Sequence, residues 1–184
     1  MRKLFVLVVL ILASTAAYLW FAPQDNSRAL QTDQELLPDY VALNVTRRLY
    51  NADGYLADSV SAKRLEHFDQ LGFTQFEMPV YTLYNELHQA GWQASSQSAV
   101  WFANDKVILE QQVNIISLMA DGMIERIETD NLEMLFYDQL LRNDRPVRIS
   151  GKGFTIQGVG LEADLTTKSF KLLQHQQTVY RNED

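Results

Sequence analysis

The sequence contains no cysteine, and this absence excludes several kinds of chemistry together. A chain without thiols has no disulfide framework, no thiol nucleophile, no cysteine-based metal site and no lipidated cysteine. Any attachment to a membrane therefore has to come from the polypeptide itself.

Histidine is scarce, and the familiar catalytic motifs are missing. His67, His88 and His175 lie far apart, without the close spacing typical of zinc ligands. We find no nucleophile elbow, phosphate-binding loop or dinucleotide fingerprint. The sequence therefore predicts a protein that is not an enzyme and that needs no metal or cofactor.

Positive charge is in deficit. Lysine and arginine number 16 against 23 aspartate and glutamate residues, for a net charge of −7. A nucleic-acid partner would need a basic face to neutralise phosphates. We therefore exclude nucleic acid as a partner and interpret the acidic surface as an aid to solubility.

One long apolar run stands at the N-terminus. Residues Leu4 to Ala22 carry no charge, and at about 1.5 Å per residue such a helix spans a hydrocarbon core of about 30 Å. Arg2 and Lys3 precede it, which favours a cytoplasmic N-terminus. A cleaved signal peptide is the alternative, but apolarity continues to Phe21, past the small residues where cleavage would occur.

These features predict three regions. Residues 1–22 form a retained transmembrane anchor, residues 23–37 form a polar linker, and residues 38–184 form an exported domain. The protein is then a single-pass membrane protein, with its N-terminus in the cytoplasm.

Beyond the linker, the apolar pattern has a period of two, which is typical of β-strands. In the stretch Gly91 to Leu118, the face occupied by Trp92, Ala94 and Ser96 continues at Ala99 and Trp101 after a slip of one residue. An extra residue in a strand produces such a slip, so we expect a bulge or corner at this point.

The same slip recurs at intervals of about thirty residues, a period typical of internal repeats. It leads from Val60 and Ala62 to Leu65 and His67, from Ile127 and Thr129 to Leu132, Met134 and Phe136, and from Ile156 and Gly158 to Leu161, Ala163 and Leu165. Three copies then reach a β-branched residue at Val80, Val113 and Val147, where the fourth has Gln176. Chance self-similarity among strands is the alternative to a true repeat.

Turn signals divide the domain into many short strands. We expect turns at Asn51-Ala52-Asp53-Gly54, Asn104-Asp105, Asp121-Gly122 and Asn143-Asp144. Gly151, Gly158 and Gly160 are expected at bulges or tight corners within strands. This pattern indicates an all-β sandwich, roll or barrel.

Several short segments, in their order along the chain, resemble the LptC family of the Gram-negative lipopolysaccharide export system. Besides the anchor, they are Leu37-Pro38-Asp39-Tyr40, Tyr50-Asn51-Ala52-Asp53-Gly54, Pro79-Val80 with Leu83-Tyr84, Trp92 to Ala99, Arg126-Ile127-Glu128-Thr129-Asp130-Asn131, Ser150-Gly151, Gly158-Val159-Gly160-Leu161 and Thr178-Val179-Tyr180. The resemblance implies that residues 38–184 form a periplasmic, open β-jellyroll of OstA-like repeats. It also implies that the single transmembrane helix before this domain lies in the inner membrane.

The resemblance also implies what the domain does. It predicts that Val45, Phe76, Phe170 and Tyr180 line an apolar groove that binds the acyl chains of lipopolysaccharide. It further predicts that the chain receives this lipid from an LptB-LptF-LptG transporter and passes it to the periplasmic protein LptA. Without the resemblance, these four residues would be interpreted as ordinary core residues.

Charge on the terminal strands suggests where the partners bind. Ser169 to Tyr180 carries only Lys171 as a charged residue and contains no proline, so it is a poorly protected strand edge. We therefore expect LptA to add a strand there and the transporter to contact the anchor and the region Val41 to Tyr50.

Two other classes of function stay open. A tethered adaptor would bind only proteins and would regulate a membrane complex without carrying lipid. A periplasmic glycan-processing enzyme would need two converging carboxylates. Carboxylates such as Glu125, Glu128, Asp130 and Glu133 are scattered along alternating strands, so no pair can be singled out.

The anchor yields a direct prediction. Because the apolar run is longer than a signal-peptide core, intact-mass analysis of the membrane-extracted protein should give a chain that begins at Met1. A mature chain that starts near Ala16 or Ala17 would contradict the anchor.

Overall fold

The computed structural model describes residues 37–120, 122–165, 167 and 169–181. All the secondary-structure elements in this part of the chain are β-strands, which confirms the all-β prediction. None of the described residues forms a helix able to cross a membrane. The predicted anchor, and the linker up to residue 36, lie outside the described residues.

Eleven strands make up the described fold. In chain order they are β1 (Tyr40–Tyr50), β2 (Leu56–Phe68), β3 (Phe73–Glu77), β4 (Val80–Tyr84), β5 (Ala90–Ser95), β6 (Ser98–Phe102), β7 (Lys106–Ser117), β8 (Ile124–Leu135), β9 (Leu140–Gly151), β10 (Phe154–Asp164) and β11 (Ser169–Tyr180).

All pairings between these strands are antiparallel, and they join the strands into one sheet. Two short strands lie one after the other along each of β2 and β7. The first half of β2 pairs with β4 and the second half with β3, while the first half of β7 pairs with β6 and the second half with β5. Each long strand thus has one part on what we call the β3/β6 side and another on the β4/β5 side. β1 and β11 are the edge strands.

The two sides meet where the strands break their regular alternation. Positive φ angles occur there at Asn44, Met78, Gln111, Gln112 and Gly160. Residues other than glycine rarely adopt this backbone conformation. The pairing register also shifts within β7, β8 and β10. After a step of about three residues, the side chains of each long strand therefore point to the same face again, as a β-bulge allows.

The register confirms the repeated slip of the sequence pattern. On the β3/β6 side, Leu65, Phe76, Ala99, Leu109 and Leu132 pair in succession across β2, β3, β6, β7 and β8. Across the bend, Val113, Thr129, Val147 and Gly158 pair in the same way. Both rows contain buried residues, so the slip keeps one face, the inner face, apolar through the bend.

The core lies on this inner face in two clusters. The first consists of Ala99, Leu109, Val113, Ile115 and Leu132, and the second of Val147, Ile149 and Leu161. Full burial of a large aliphatic side chain contributes about 1.5–3 kcal/mol. The middle strands, β6 to β10, therefore provide most of the stabilising burial.

Asparagine has opposite roles at two of the predicted turns. At the β1–β2 turn, the Asn51 side-chain oxygen accepts hydrogen bonds from the backbone N–H groups of Asp53 and Tyr55 at 3.1 and 2.9 Å. Gly54, with φ +83°, completes this turn. The prediction of a turn there is confirmed.

The predicted turn at Asn143-Asp144 is wrong, because both residues lie within β9. The buried Asn143 amide donates to the Thr129 hydroxyl at 2.6 Å and to the Asn131 carbonyl, and its oxygen accepts from the Arg145 N–H at 2.8 Å. These bonds satisfy backbone groups that the bend leaves unpaired, so an asparagine that favours turns locally here stabilises a bulge.

Three other sequence expectations differ in detail. The repeat predicts that Val80 occupies the same position as Val113 and Val147. Val80 pairs with Ser61 and Ser95 instead, and Pro79 is the buried residue at that bend. Phe136 and Leu165 lie just past the ends of β8 and β10, because the strands end before the repeat pattern does. At Gln176, where the sequence repeat is weakest, the β10–β11 register shifts.

Close packing at Gly158 yields a prediction. A Cβ there would overlap the Gln174 carbonyl oxygen and the Leu172 side chain, so Gly158→Ala should lower the free energy of unfolding by about 1–3 kcal/mol. The control is Gly91→Ala, at another buried strand glycine, where the nearest atoms are 3.6 Å or more away. We expect the control to change stability by less than about 1 kcal/mol. Equal denaturation midpoints for the two variants would contradict this packing.

Candidate functional site: an apolar sheet face between two open edges

The candidate site is the inner face of the sheet. On the β3/β6 side, the row that begins at Ala42 of β1 continues through Leu65, Phe76 and Ala99 to Leu132. On the β4/β5 side, a second row consists of Val60, Tyr81, Ala94, Ile115, Ile127, Ile149 and Ile156. The inner face is therefore apolar across nearly every strand.

This face is closed at its centre and open at its edges. Val113, Leu132, Ile149 and Leu161 are each about 1% exposed. In β1 only Ala42 and Val45 are half-buried, and in β11 only Leu172 and Thr178; the remaining residues of both strands are exposed. An apolar molecule would thus meet the inner face first beside β1 or β11.

The four residues predicted to contact lipid lie at different points of the inner face. Val45 pairs with the buried Ala62 on β2, and Phe76 packs against the first core cluster. Phe170 and Tyr180, both on β11, pair with Ala163 and Phe154. Their positions outline a path along the face and no compact pocket, and their contact with lipid stays a prediction.

The free edges agree with one part of the sequence expectation. β11 pairs only with β10, and β1 pairs only with β2, among the described strands. Phe170 and Tyr180 are 48% and 77% exposed, so large apolar groups stand beside the unpaired backbone of β11. The segment Ser169–Tyr180 is therefore a true edge strand, as its composition indicated.

A polar group that the sequence reasoning missed lies on the same face. Arg47 of β1 and Asp58 of β2 form an ion pair, with a guanidinium nitrogen 3.6 Å from Asp58 Oδ1. The Arg47 guanidinium carbon is also 5.7 Å from the centroid of the Trp101 ring. The alternation of Val45, Arg47 and Leu49 was the signal that could have placed this charge on the inner face.

Tyr81 belongs to this polar group. The pKa of its phenol is raised to about 12, mainly by burial and also by the neighbouring Asp58 carboxylate, while Arg47 acts in the opposite direction. The phenol therefore stays protonated at neutral pH and beyond, and it adds no charge to the apolar face.

A hollow of about 1100 Å³ lies at the bend, and most of the residues that line it are polar. Glu128 and Asp130 line it beside Arg126 and Arg148, whereas Glu125 and Glu133 do not. Glu128 and Asp130 lie on one strand, β8, which differs from two carboxylates that flank a scissile bond from opposite sides. The third lining carboxylate, Glu77 of β3, forms an ion pair with Lys63. Among the described residues, no group of histidine and carboxylate side chains could hold a metal ion.

The bent single sheet, with an apolar inner face and two unpaired edges, defines an open β-jellyroll. The profile of the family described as "Lipopolysaccharide-assembly, LptC-related" matches residues 5–181. The chain therefore belongs to the LptC family, as the resemblance predicted.

Individual relatives agree with this assignment. The lipopolysaccharide export system protein LptC of Escherichia coli K12 is 24% identical over 144 residues, covering 78% of this chain and 75% of the relative. The protein of the same name from Haemophilus influenzae is 24% identical over 160 residues, covering 78% and 77%.

A solved structure supports the fold. The crystal structure of LptH from Pseudomonas aeruginosa, described as the LptA homologous periplasmic component of the lipopolysaccharide transport device, matches with a TM-score of 0.50. It is 12% identical, and the match covers 62% of this chain and 80% of LptH. Membership of the LptC family gives the chain a role in lipopolysaccharide transport, in a family of transport components and not of enzymes.

The environment of Tyr81 predicts a pH dependence. The folded pKa of about 12 exceeds the ordinary value of 10, so this contribution to stability is complete below pH 10 and is lost as the pH rises through 12. Over this pH range, the free energy of unfolding of the parent should fall by on the order of 1 kcal/mol more than that of Tyr81→Phe. The difference is this small because the Tyr81 side chain is partly exposed to solvent.

Unfolding by urea, followed from pH 9 to pH 12, measures this difference, with the exposed Tyr137→Phe as control. Asp58→Asn should move the Tyr81 titration to lower pH. If the parent and Tyr81→Phe lose stability in parallel, Tyr81 does not occupy the environment described.

Proposed function

We propose that the inner face of the sheet carries the acyl chains of lipopolysaccharide between the inner membrane and a periplasmic acceptor. The observation that supports this proposal best is the continuity of the apolar face from β1 to β11, in a chain of the LptC family. Among the described strands, β1 and β11 do not pair with each other, so we expect this face to be reached along both edges.

Energetics explain why such a face is needed. Burial of each methylene is worth about 0.8 kcal/mol, so several acyl chains cannot cross the aqueous periplasm exposed. The core clusters show that the centre of the face is packed within the protein itself. Lipid therefore enters from an edge, and the β3/β6 and β4/β5 sides part to accept it.

The edges give the transport its direction. β1 follows the predicted anchor and linker along the chain, so we propose that the LptB-LptF-LptG transporter delivers lipid at this edge. β11 is the edge with a single charged residue, Lys171, and it can accept a strand from a partner. A partner with the same fold, such as an LptA-like protein, would extend both the sheet and its apolar face.

Site-specific photo-crosslinking tests the lipid path. A photo-reactive residue placed at Val45, Phe76, Phe170 or Tyr180 of the full-length protein in membranes should capture lipopolysaccharide. The controls are Gln75 and Lys171, sequence neighbours of Phe76 and Phe170 that are both exposed; they point to the opposite face because strand residues alternate.

Lipid captured at the inner positions and not at the controls would support the proposal. Equal capture at both sets, or none at either, would contradict it. No capture at any position, with a membrane complex still assembled, is the result expected of the tethered adaptor.

The polarity of the module yields a second prediction. Deletion of residues 174–184 removes about half of β11, so the protein should lose its LptA acceptor while assembly with the transporter stays intact. Deletion of residues 181–184 leaves β11 whole and serves as the control. Pull-downs from cells measure both partners. Loss of the transporter, with the acceptor retained, would show that the polarity is the reverse.

A further inference from the structure

One charged pair interrupts the uncharged inner face. Among the described inner-face positions, Arg47 and Asp58 alone carry formal charges. Arg47 pairs in register with Val60, and Val60 pairs with Tyr81; farther along this row are Ala94 and the isoleucines described above. A guanidinium beside such neighbours loses part of its hydration, so an anionic or aromatic partner stabilises it.

Arg47 finds these partners on both sides of the bend. Asp58 lies on the β4/β5 side, where it pairs with Leu83 of β4. Trp101 lies on the β3/β6 side, where it pairs with Thr74 of β3. Because Arg47 contacts both, it links the two sides across the inner face, next to the β1 edge. We call this link the Arg47 crossbar.

The crossbar is an incomplete set of interactions. The distance of 3.6 Å between Arg47 and Asp58 is longer than a hydrogen bond. Asp58 Oδ1 is buried and receives no hydrogen bond from any described residue. The Arg47 side chain keeps 44% of its surface exposed, and its planar fork has five N–H donors. These contacts therefore hold Arg47 in place without satisfying its donors.

We propose that Arg47 is the anion-binding group of the inner face, and that it exchanges Asp58 and Trp101 for a phosphate group on the head of the incoming amphiphile. The inference rests on the proposed lipid path and names the part of the lipid that is recognised. As acyl chains enter beside β1, the guanidinium swings out and binds phosphate oxygens in a bidentate fashion.

The position of Arg47 supports this exchange. It lies on the edge strand, so a head group can stay in water while the acyl chains pass inward. Movement of Arg47 also removes the link between the two sides. Phosphate binding and opening of the apolar face would therefore occur in one step.

The test uses the full-length protein in phosphatidylcholine nanodiscs, with a photo-reactive residue at Phe76. The probes are lipopolysaccharide and the same lipopolysaccharide after enzymatic removal of its phosphates. The parent should capture the phosphorylated form about tenfold better, as expected of charge-assisted hydrogen bonds. Arg47→Gln should capture both forms equally.

Arg48→Gln is the matched control, because Arg48 is the next residue of β1 and points to the opposite face. It should keep the preference for the phosphorylated form. Equal loss in both variants would indicate a general effect of charge and would overturn the inference, as would an unchanged preference in Arg47→Gln. Circular dichroism verifies that each variant is folded.

If Arg47→Gln does not fold, Asp58→Asn provides the second test. Removal of the competing carboxylate should raise the preference for phosphorylated lipid several-fold, and an unchanged or lower preference would overturn the inference. Millimolar inorganic phosphate at constant ionic strength should leave the preference intact. Its loss would show that free phosphate, and not a lipid head group, is the ligand.

The outcomes separate this inference from the proposed function. If the parent protein captures neither form of lipopolysaccharide, both the proposed function and the role of Arg47 are overturned. A parent that captures both lipids equally well, with Arg47→Gln behaving like the parent, overturns the role of Arg47 alone.

Discussion

The break in alternation at the bend of the long strands determines where the core and the edges of the sheet lie. Because strand side chains alternate between two faces, a bend without an added residue would turn the inner residues outward. Left-handed residues such as Asn44 and Gln112, together with the register shifts, provide the added residue. One apolar face therefore continues through the bend. Its core lies at β6 to β10, and its edge strands, β1 and β11, each pair on one side only among the described strands.

Much of this architecture could be predicted from the sequence, because the slip is a local pattern. Thr129 to Leu132 and Gly158 to Leu161 keep the same face in the structure, as their spacing indicated. Asn143 could not be assigned correctly, because asparagine satisfies backbone groups equally well in a turn and in a bulge, and only its partners across β8 decide between them. The family of the chain followed from the order of short motifs.

The site was harder to predict than the fold. Val45 and Phe76 face inward, yet their neighbours across the sheet depend on pairing that spans many residues of sequence. The Arg47 crossbar was missed for the same reason: an arginine in an edge strand is usually solvated, and its approach to Trp101 follows only from the bend. The proposed lipid site therefore depends on long-range contacts that sequence periodicity does not report.

In the proposed transport, the two sides of the sheet part to admit lipid along the inner face. The absence of cysteine allows a clean test, in which cysteines replace Arg47 and Trp101 and a short, thiol-cleavable bismaleimide joins them. Capture of lipopolysaccharide by a photo-reactive residue at Phe76 is then compared in the unbridged, bridged and cleaved states of the same protein. We expect bridging to abolish capture and cleavage to restore it. Capture that is equally strong in the bridged state would contradict the account.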